Sequence, residues 1–344
     1  MLRVELDQLQ AGMKLALPVR CRHSYKILLN AGTVINEEHV QRLKELNPAD
    51  VYIFSPHFMD DPAQELYREA VSSMDDIFQE VISGNKVDVS RVKQVVNGIV
   101  ERLKIHDQIL VQLARLNDAD SYSVSHCVNV CIYSLFIGSN LNLRNEQMQL
   151  LGLGALLHDI GKLYMPESLL RKGGKLSDRE FSIIKDHPLI GYRSLEGTDT
   201  PEEVGDIVRD HHEKCDGSGY PYGIGGEKIS FLTKIVSVAD IYDAVTSDRA
   251  YRPRMLPHEG MEILLANCSA GKIDPQVVKL FTRKVVTYPP GCTVRLNTGE
   301  IAKVVESKAL SWRPKVVVKK GNRVKFVDLA ANPTVFISQI IDIE

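Results

Sequence analysis

Polar side chains that interrupt the apolar faces of predicted helices restrict the fold of this chain more than any other feature. Residues 118–283 have a mostly helical pattern and contain six of the ten histidines, five of which follow apolar residues at helical spacing. His158, for example, stands seven residues after Leu151 and so points in the same direction as the core residues. Two aspartates, Asp159 and Asp240, have equally apolar neighbours. The fold must therefore bring these side chains to partners that satisfy them.

Buried imidazoles and carboxylates are costly unless their pKa shifts or a cation binds them. Mixed His and Asp ligands suit Fe, Mn, Zn, Ni or Co better than Mg, which prefers oxygen ligands. Seven ligands exceed the need of one ion, whereas two ions with a bridging carboxylate would use them all. The residues thus predict a two-metal hydrolytic site. Its candidate ligands are His126, His158, Asp159, His187, His211, His212 and Asp240.

A lone histidine on an apolar face is more often a hydrogen-bonded core residue than a ligand. The adjacent pairs 158–159 and 211–212 favour ligation, because two candidate donors meet in each of them. Asp243, one turn after Asp240, either supports a ligand as a hydrogen-bond acceptor or faces water. The other five histidines have no such neighbours and stay with the ordinary interpretation: His23, His39, His57, His106 and His258.

Composition limits the class of protein. A length of 344 residues suggests about two folding units with a small third. Usage of 44% apolar and 25% charged residues excludes disordered and collagen-like chains. The net charge of -2 argues against a nucleic-acid surface over the whole chain. Six dispersed cysteines indicate reduced thiols. We expect a cytoplasmic protein with no secretory signal, no membrane span and no nucleic-acid partner.

The predicted fold class is α+β with several domains. Residues 1–58 mix short strands with a helix capped by Asn36 and are expected to form a small α/β domain, for which a regulatory role is open. Residues 59–117 are a helical connector, 118–283 are all-α, and 284–344 alternate apolar and polar residues as a small β-rich extension does.

Local patterns predict how the helices of the central region begin. Capping boxes place helix starts at Ser177 and at Thr200, the second followed by a proline at the first helical position. Phe181 and Ile184 precede His187 at helical spacing, which predicts one continuous face that ends in the histidine.

Three longer motifs carry a resemblance to a known family. They are the segments His158-Asp159-Ile160-Gly161-Lys162, HHEKCDGSGYP at 211–221 and ADIYDAVTSDRAYR at 239–252. In this order they resemble the HD-GYP family of cyclic di-GMP phosphodiesterases, over about residues 118–283. The resemblance implies an HD-type catalytic domain there and no activity for the flanks.

The resemblance also implies roles for the matched residues. The seven candidate ligands would bind two divalent ions, Fe or Mn first and Ni, Co or Zn as alternatives, with Asp159 bridging both. Asp159 and Lys162 would be catalytic, with Lys162 beside the scissile phosphate. Arg249 and Arg252 would hold phosphate or guanine. The full set of expected substrate contacts is Lys162, Asp216, Gly219, Tyr220, Pro221, Arg249 and Arg252.

The implied reaction opens cyclic di-GMP to linear pGpG by a hydroxide that bridges two metals. Relatives with a third metal are expected to carry a glutamate one turn before the first ligand histidine, where this chain has Tyr122. We therefore expect two metals and a reaction that stops at pGpG, although further cleavage to GMP stays open. Other interpretations are a cyclic-dinucleotide receptor with weak or no hydrolysis, and a hydrolase of other nucleotides or of cyclic GMP-AMP.

The resemblance also implies a protein partner. Relatives are expected to contact cyclic di-GMP synthase domains through the loop around Tyr220. The helices of 59–117 are compatible with a homodimer, which the sequence does not decide.

Overall fold

The computed structural model divides the chain into two compact units, one of residues 62–285 and the other of 1–61 together with 286–344. The residues that the structure describes are 2–4, 6, 9–11, 13–15, 19–20, 27–29, 33–46, 51–54, 62–105, 122–170, 172, 174, 176–247, 254–307, 312–320 and 323–341. The two flanks, which the sequence divides into separate domains, thus fall into one unit. The domain limits given above stay a prediction.

The unit formed by the flanks contains short strands, one helix and an antiparallel sheet. Its elements are β1 Leu2–Val4, β2 Lys14–Leu15, β3 Val19–Arg20, β4 Ile27–Leu29, α1 Glu37–Leu46, β5 Val51–Phe54, β6 Thr293–Leu296, β7 Ile301–Glu306, β8 Lys315–Lys320, β9 Arg323–Asp328 and β10 Ile337–Ile340. Strand β5 pairs with β1 and β2, and β3 pairs with β4. Asn36 caps α1 as predicted, since its Oδ1 accepts the His39 N–H at 2.8 Å.

The C-terminal strands form one five-stranded antiparallel sheet in the order β10-β6-β7-β8-β9. Alternate residues point to opposite faces of such a sheet, so one face supplies its core. Val294, Leu296, Val304 and Val316 are buried in that core. Ile301 is 52% exposed and lies outside it. The predicted β-rich extension is therefore an antiparallel sheet with an apolar interior.

The unit of residues 62–285 is helical. Its elements are α2 Pro62–Ile82, α3 Val89–Ile105, α4 Tyr122–Asn140, α5 Asn145–Leu157, a 3-10 helix Ile160–Tyr164, α6 Glu167–Leu170, α7 Asp178–Ile184, α8 His187–Ser194, α9 Glu202–Asp210, α10 Phe231–Thr246, α11 Pro257–Ser269 and α12 Pro275–Lys284. Helix α4 packs against α5 and α10, and α9 packs against α5 and α8. Among the described residues, none of the helices combines the length and apolarity that crossing a bilayer requires.

The segment predicted as a connector contributes to the helical core. Helices α2 and α3 pack against each other, and both contact α4. Met74 and Val96 are fully buried in them. These helices therefore stabilise the unit that carries the candidate ligands.

One of the two predicted capping boxes forms. At α7 the Ser177 side chain accepts the Glu180 N–H, and the Glu180 carboxylate accepts the Ser177 N–H at 2.8 Å. The box predicted at Thr200 is wrong, because Pro201 occupies the N-cap of α9 and no side chain caps that helix. The Thr200 hydroxyl instead forms a 2.7 Å hydrogen bond with Thr198.

Candidate metal centre

Helix ends deliver three of the candidate histidines to one place. His158 follows α5 as its C-cap, His211 follows α9 in the same way, and His187 is the first residue of α8. In each ring Nδ1 donates to the backbone carbonyl three residues earlier, at 2.7, 2.9 and 2.7 Å respectively. A neutral imidazole that donates from Nδ1 carries its lone pair on Nε2. Three imidazoles thus present Nε2 as their candidate ligand atom.

These lone pairs point toward one another and toward a carboxylate. The Nε2 atoms of His187 and His211 lie 3.3 Å apart, and Asp159 Oδ1 lies 3.2 Å from the first and 3.8 Å from the second. Two lone pairs at that distance cannot satisfy each other without a cation or a proton. Within the described part of the chain, the buried His158 Nε2 and Asp159 Oδ1 have no hydrogen-bond partner. Buried electron-pair donors without a hydrogen-bond partner are what a metal site contains.

His126 enters the cluster from the middle of α4. Its Nε2 lies 3.2 Å from Asp240 Oδ1 and 3.6 Å from Asp159 Oδ2. Its Nδ1 donates to Asp243 Oδ2 at 2.7 Å, and Asn129 donates to the other Asp243 oxygen at 2.9 Å. Asp243 is buried, which decides between its two interpretations: it orients a candidate ligand and does not face water.

The ligand atoms form two sets that share one residue. Asp159, His187, His211 and His212 offer one set, and His126, His158 and Asp159 offer the other, with the atoms of each set within 4.8 Å of one another. Asp240 lies beside both sets, since its oxygens are 3.2 Å from His126 Nε2 and 3.7 Å from His212 Nδ1. The structure therefore brings all seven sequence-predicted ligands together. The chemistry of this donor set fits divalent metal ions.

The environment keeps Asp159, His211 and His212 in the protonation states that bind metals, whereas it favours the protonated form of His126. Burial opposes ionisation of Asp159, yet Lys162 and His158 hold the pKa of its carboxyl well below the usual range. Burial and the neighbouring imidazoles lower the pKa of His211 and His212 well below 6.5. Burial also opposes the charged form of His126, but its bonds to aspartates raise its pKa to about 9. A metal must therefore displace a proton from His126, and meets neutral rings at 211 and 212.

Lys162 lies at the edge of the cluster on the 3-10 helix. Its Nζ donates to Asp159 Oδ2 at 2.5 Å. Gly161, between them, permits this approach, because a Cβ there would lie 1.9 Å from the His187 carbonyl oxygen. The missing side chain lets the 3-10 helix touch α8, so the candidate bridging carboxylate and the lysine reach the histidines.

A ring contact and a set of hydrogen bonds hold the loop after His212 against the cluster. The Tyr220 ring packs on the His212 ring, with centroids 4.7 Å apart. The buried Glu213 carboxylate accepts the backbone N–H groups of residues 222–224 at 2.6, 3.0 and 3.1 Å. Gly219 is required here, because a Cβ would lie 2.4 Å from the Glu213 Cα. Sequence reasoning missed Glu213, whose only signal was an acid directly after the ligand pair.

The other expected substrate contacts are not all brought to the cluster. Asp216 is exposed, and its carboxylate accepts the Ser218 N–H and hydroxyl at 2.9 and 2.6 Å, so it shapes the loop. Pro221 follows Tyr220 through a cis peptide bond. Arg249 and Arg252 lie outside the described residues. The Tyr122 side chain also lies outside them, although its backbone begins α4.

The predicted continuous helical face before His187 is wrong. Helix α7 ends at Ile184, and a new helix begins at His187 with Pro188 in its first turn. Proline has no N–H to continue the preceding helix but suits the start of a new one. Phe181 accordingly is 45% exposed and not part of the core.

Comparisons with known proteins agree with the geometry. Residues 100–277, more than half of the chain, match the family described as HD domain. A cyclic di-GMP phosphodiesterase of Pseudomonas aeruginosa is 36% identical over 245 residues, which cover 71% of this chain and 58% of the relative. A 3'3'-cGAMP-specific phosphodiesterase of Vibrio cholerae is 34% identical, over 52% of this chain and 42% of the relative. The chain thus spans about half the length of these curated relatives.

A solved structure supports the fold. An HDG"Y"P protein of Bdellovibrio bacteriovorus superimposes with a TM-score of 0.54, over 81% of this chain and 97% of that chain. The two sequences are 19% identical, so the likeness concerns the architecture.

Proposed function

The chain belongs to the HD domain family, as its resemblance to the HD-GYP proteins predicted, and from that premise we propose that it is a metal-dependent phosphodiesterase that hydrolyses cyclic di-GMP to linear pGpG. The observation that carries the proposal is the pair of buried ligand sets that share Asp159. A bridging carboxylate between two sets of donors is the arrangement that two-metal phosphoesterases use.

The proposal assigns the seven clustered residues to two divalent ions, with Fe or Mn preferred and Ni, Co or Zn as alternatives. When bound, two such ions neutralise charge on a phosphate and supply hydroxide at neutral pH. Asp159 is proposed as the bridging ligand because it belongs to both sets. Asp243 keeps the His126 ring turned toward the cluster through its 2.7 Å hydrogen bond. Glu213 holds the loop that carries Tyr220 beside the ligands.

Lys162 is proposed as a catalytic residue. Its ammonium group lies against the candidate bridging carboxylate and is partly exposed, with 27% of the side chain accessible. A cation in that position can donate to a non-bridging oxygen of the scissile phosphate and stabilise its charge in the transition state. Either Lys162 or water protonates the leaving oxygen. The contacts assigned to Gly219, Tyr220, Pro221, Arg249 and Arg252 rest on the family motif.

We propose two ions and a linear dinucleotide as the end product, because Tyr122 stands where a third site would need a carboxylate. A neutral phenol is a poor substitute for that ligand. Cleavage on to GMP would speak against this part of the proposal.

Cyclic GMP-AMP is a second candidate substrate. Its support is that relatives named as cyclic di-GMP and as 3'3'-cGAMP-specific phosphodiesterases match this chain at 36% and 34% identity. A receptor without hydrolysis is less favoured, because binding a dinucleotide does not require the buried metal ligands.

The cellular location, the protein partner, the oligomeric state and the domain limits are proposals of the same kind. A cytoplasmic location is supported by the sequence, whose six cysteines are dispersed and include no Cys-x-x-Cys pair. Contact of the 220–222 loop with cyclic di-GMP synthase domains is supported by Tyr222, which is 62% exposed. We also propose a homodimer and the domain limits 1–58, 59–117, 118–283 and 284–344.

The decisive experiment uses the full chain purified without oxygen. Metal content is measured, the protein is loaded with Fe or Mn, and cyclic di-GMP and cyclic GMP-AMP are incubated with it under reducing conditions. We expect linear dinucleotide, quantified by chromatography, from the wild type and none from Asp159→Asn. A metal-loaded wild type that binds these dinucleotides and leaves them intact would refute the proposal in favour of a receptor.

A further inference from the structure

Lys185 lies between the helices that frame the candidate metal centre. It is the C-cap of α7, two residues before His187. Its Nζ lies 4.8 Å from the centroid of the Phe181 ring and 5.4 Å from that of the Tyr220 ring. Both distances are within the range of cation–π contacts. Two aromatic rings therefore hold a half-buried ammonium group in place.

The partners of Lys185 differ from those of the other lysines nearby. Lys162 donates to Asp159, and Lys172 donates to both carboxylate oxygens of Glu180 at 2.7 Å. For Lys185, no carboxylate lies within 4.0 Å among the residues that the structure describes. A carboxylate cancels a lysine's charge, whereas an aromatic ring orients the charge and leaves it in place. Lys185 thus presents an uncancelled positive charge.

Tyr220 connects this charge to the ligand cluster. The same ring that Lys185 contacts packs on the His212 ring at 4.7 Å between centroids. The ammonium group is therefore one aromatic ring away from a candidate metal ligand. A cyclic dinucleotide carries two phosphates, and only one of them can occupy the metal centre in a given turnover. The second phosphate then needs a cation at a short distance from that centre.

We propose that Lys185, held by Phe181 and Tyr220, forms a second anion subsite that binds the phosphate not being cleaved. This inference rests on the proposed function, because it takes a cyclic dinucleotide as the substrate. Lys185 acts in binding and takes no part in bond cleavage. Its contact with the substrate should affect KM and leave kcat almost unchanged.

The test compares three variants on two substrates. Lys185→Met keeps the apolar stem over the rings and removes the charge, and Lys185→Arg restores a charge. Arg179→Met removes one positive charge from an exposed position on the same helix and serves as the matched control. The substrates are cyclic di-GMP and bis(4-nitrophenyl) phosphate, a diester with a single phosphate, each assayed with Mn-loaded full-length protein.

We expect Lys185→Met to raise KM for cyclic di-GMP by about 10- to 100-fold, the value of one charge-assisted hydrogen bond, with kcat within about twofold. Lys185→Arg should recover most of the loss, and Arg179→Met should match the wild type. Hydrolysis of bis(4-nitrophenyl) phosphate should be the same for all four proteins.

Two results would overturn the subsite. One is an unchanged KM for cyclic di-GMP in Lys185→Met, and the other is an equal loss on both substrates, which would place Lys185 in the support of the metal centre. A wild type that cleaves bis(4-nitrophenyl) phosphate but no cyclic dinucleotide would instead refute the proposed function, and with it the subsite. The two failures are therefore distinguishable.

Discussion

The candidate metal centre and the C-terminal sheet fill their interiors with opposite kinds of side chain, polar in the first and apolar in the second. His158, His187 and His211 are fully buried, and their free nitrogens face one another and a carboxylate. Val294 and Val304 are equally buried, but in a sheet core of apolar side chains. The sheet core is apolar and needs no ion, whereas the cluster leaves His158 Nε2 and Asp159 Oδ1 without a hydrogen-bond partner among the described residues, and a cation can satisfy both. Burial of polar groups, as in the ligand cluster, indicates function and not only stability.

Replacing Asp159 with alanine should separate the two regions most sharply. The change removes the residue that both ligand sets share. Since losing only an outer partner lowers metal affinity by about 10- to 100-fold, we expect a larger loss here, with turnover abolished. Metal analysis and the dinucleotide assay measure these effects. Hydrogen exchange in residues 293–340 should stay as in the wild type, and near-wild-type hydrolysis with verified metal content would contradict the assignment.

Truncating Leu296 to alanine is the converse change. Leu296 is 1% exposed in the sheet core, so its loss should lower the free energy of unfolding of that region by about 2–5 kcal/mol. Hydrogen exchange of the sheet under increasing urea reports the loss. Metal content and kcat should not change. If the bound metal fell together with sheet stability, the distinction between the two interiors would be lost.

Asp243→Asn tests the support of the cluster. The amide keeps the shape of the side chain but weakens the acceptor that fixes His126 Nδ1. We expect metal affinity to fall by about 10- to 100-fold, as for other partners of metal-bound histidines. Competition with a chelator measures the affinity. Asp328→Asn, on β9 of the sheet, is the control and should bind metal as the wild type does.

Glu180 provides the smallest expected effect. Hydrogen bonds from Lys172 and Ser177 lower its pKa from 4.5 to about 2. A lowered pKa in the folded state stabilises the protein above pH 4.5, and this contribution disappears as the pH falls toward 2. Because the side chain is partly exposed to solvent, the change should be small. Urea midpoints of metal-free protein at pH 6 and pH 3 should differ less in Glu180→Gln than in the wild type, and equal differences would remove Glu180 from the capping box.

The sheet was predictable from local patterns because its core residues alternate along each strand. Val294, Val304 and Val316 follow that alternation and are buried. Ile301 and Phe326 belong to the same apolar pattern but are 52% and 56% exposed. Single apolar residues at the surface are common, so hydrophobicity alone cannot assign a face.

For the cluster, the sequence predicted which residues come together but not how they are oriented and supported. Helical spacing and the family motif indicated the seven ligand residues, but they could not show which ring nitrogens are free. They also predicted one helix through His187, although Pro188 begins a new one. The roles of Asp243 and Glu213 depend on contacts with distant segments, or with backbone N–H groups that only a folded loop aligns.

The hydrogen bonds from Nδ1 of His158, His187 and His211 to their own helical turns have a further consequence. Each ring takes its orientation from backbone atoms three residues away. The metal-free protein should consequently keep these rings in place, so that exchanging one divalent ion for another requires no refolding. Uptake of an ion would then be limited by its access to the cluster and by the proton that His126 must release.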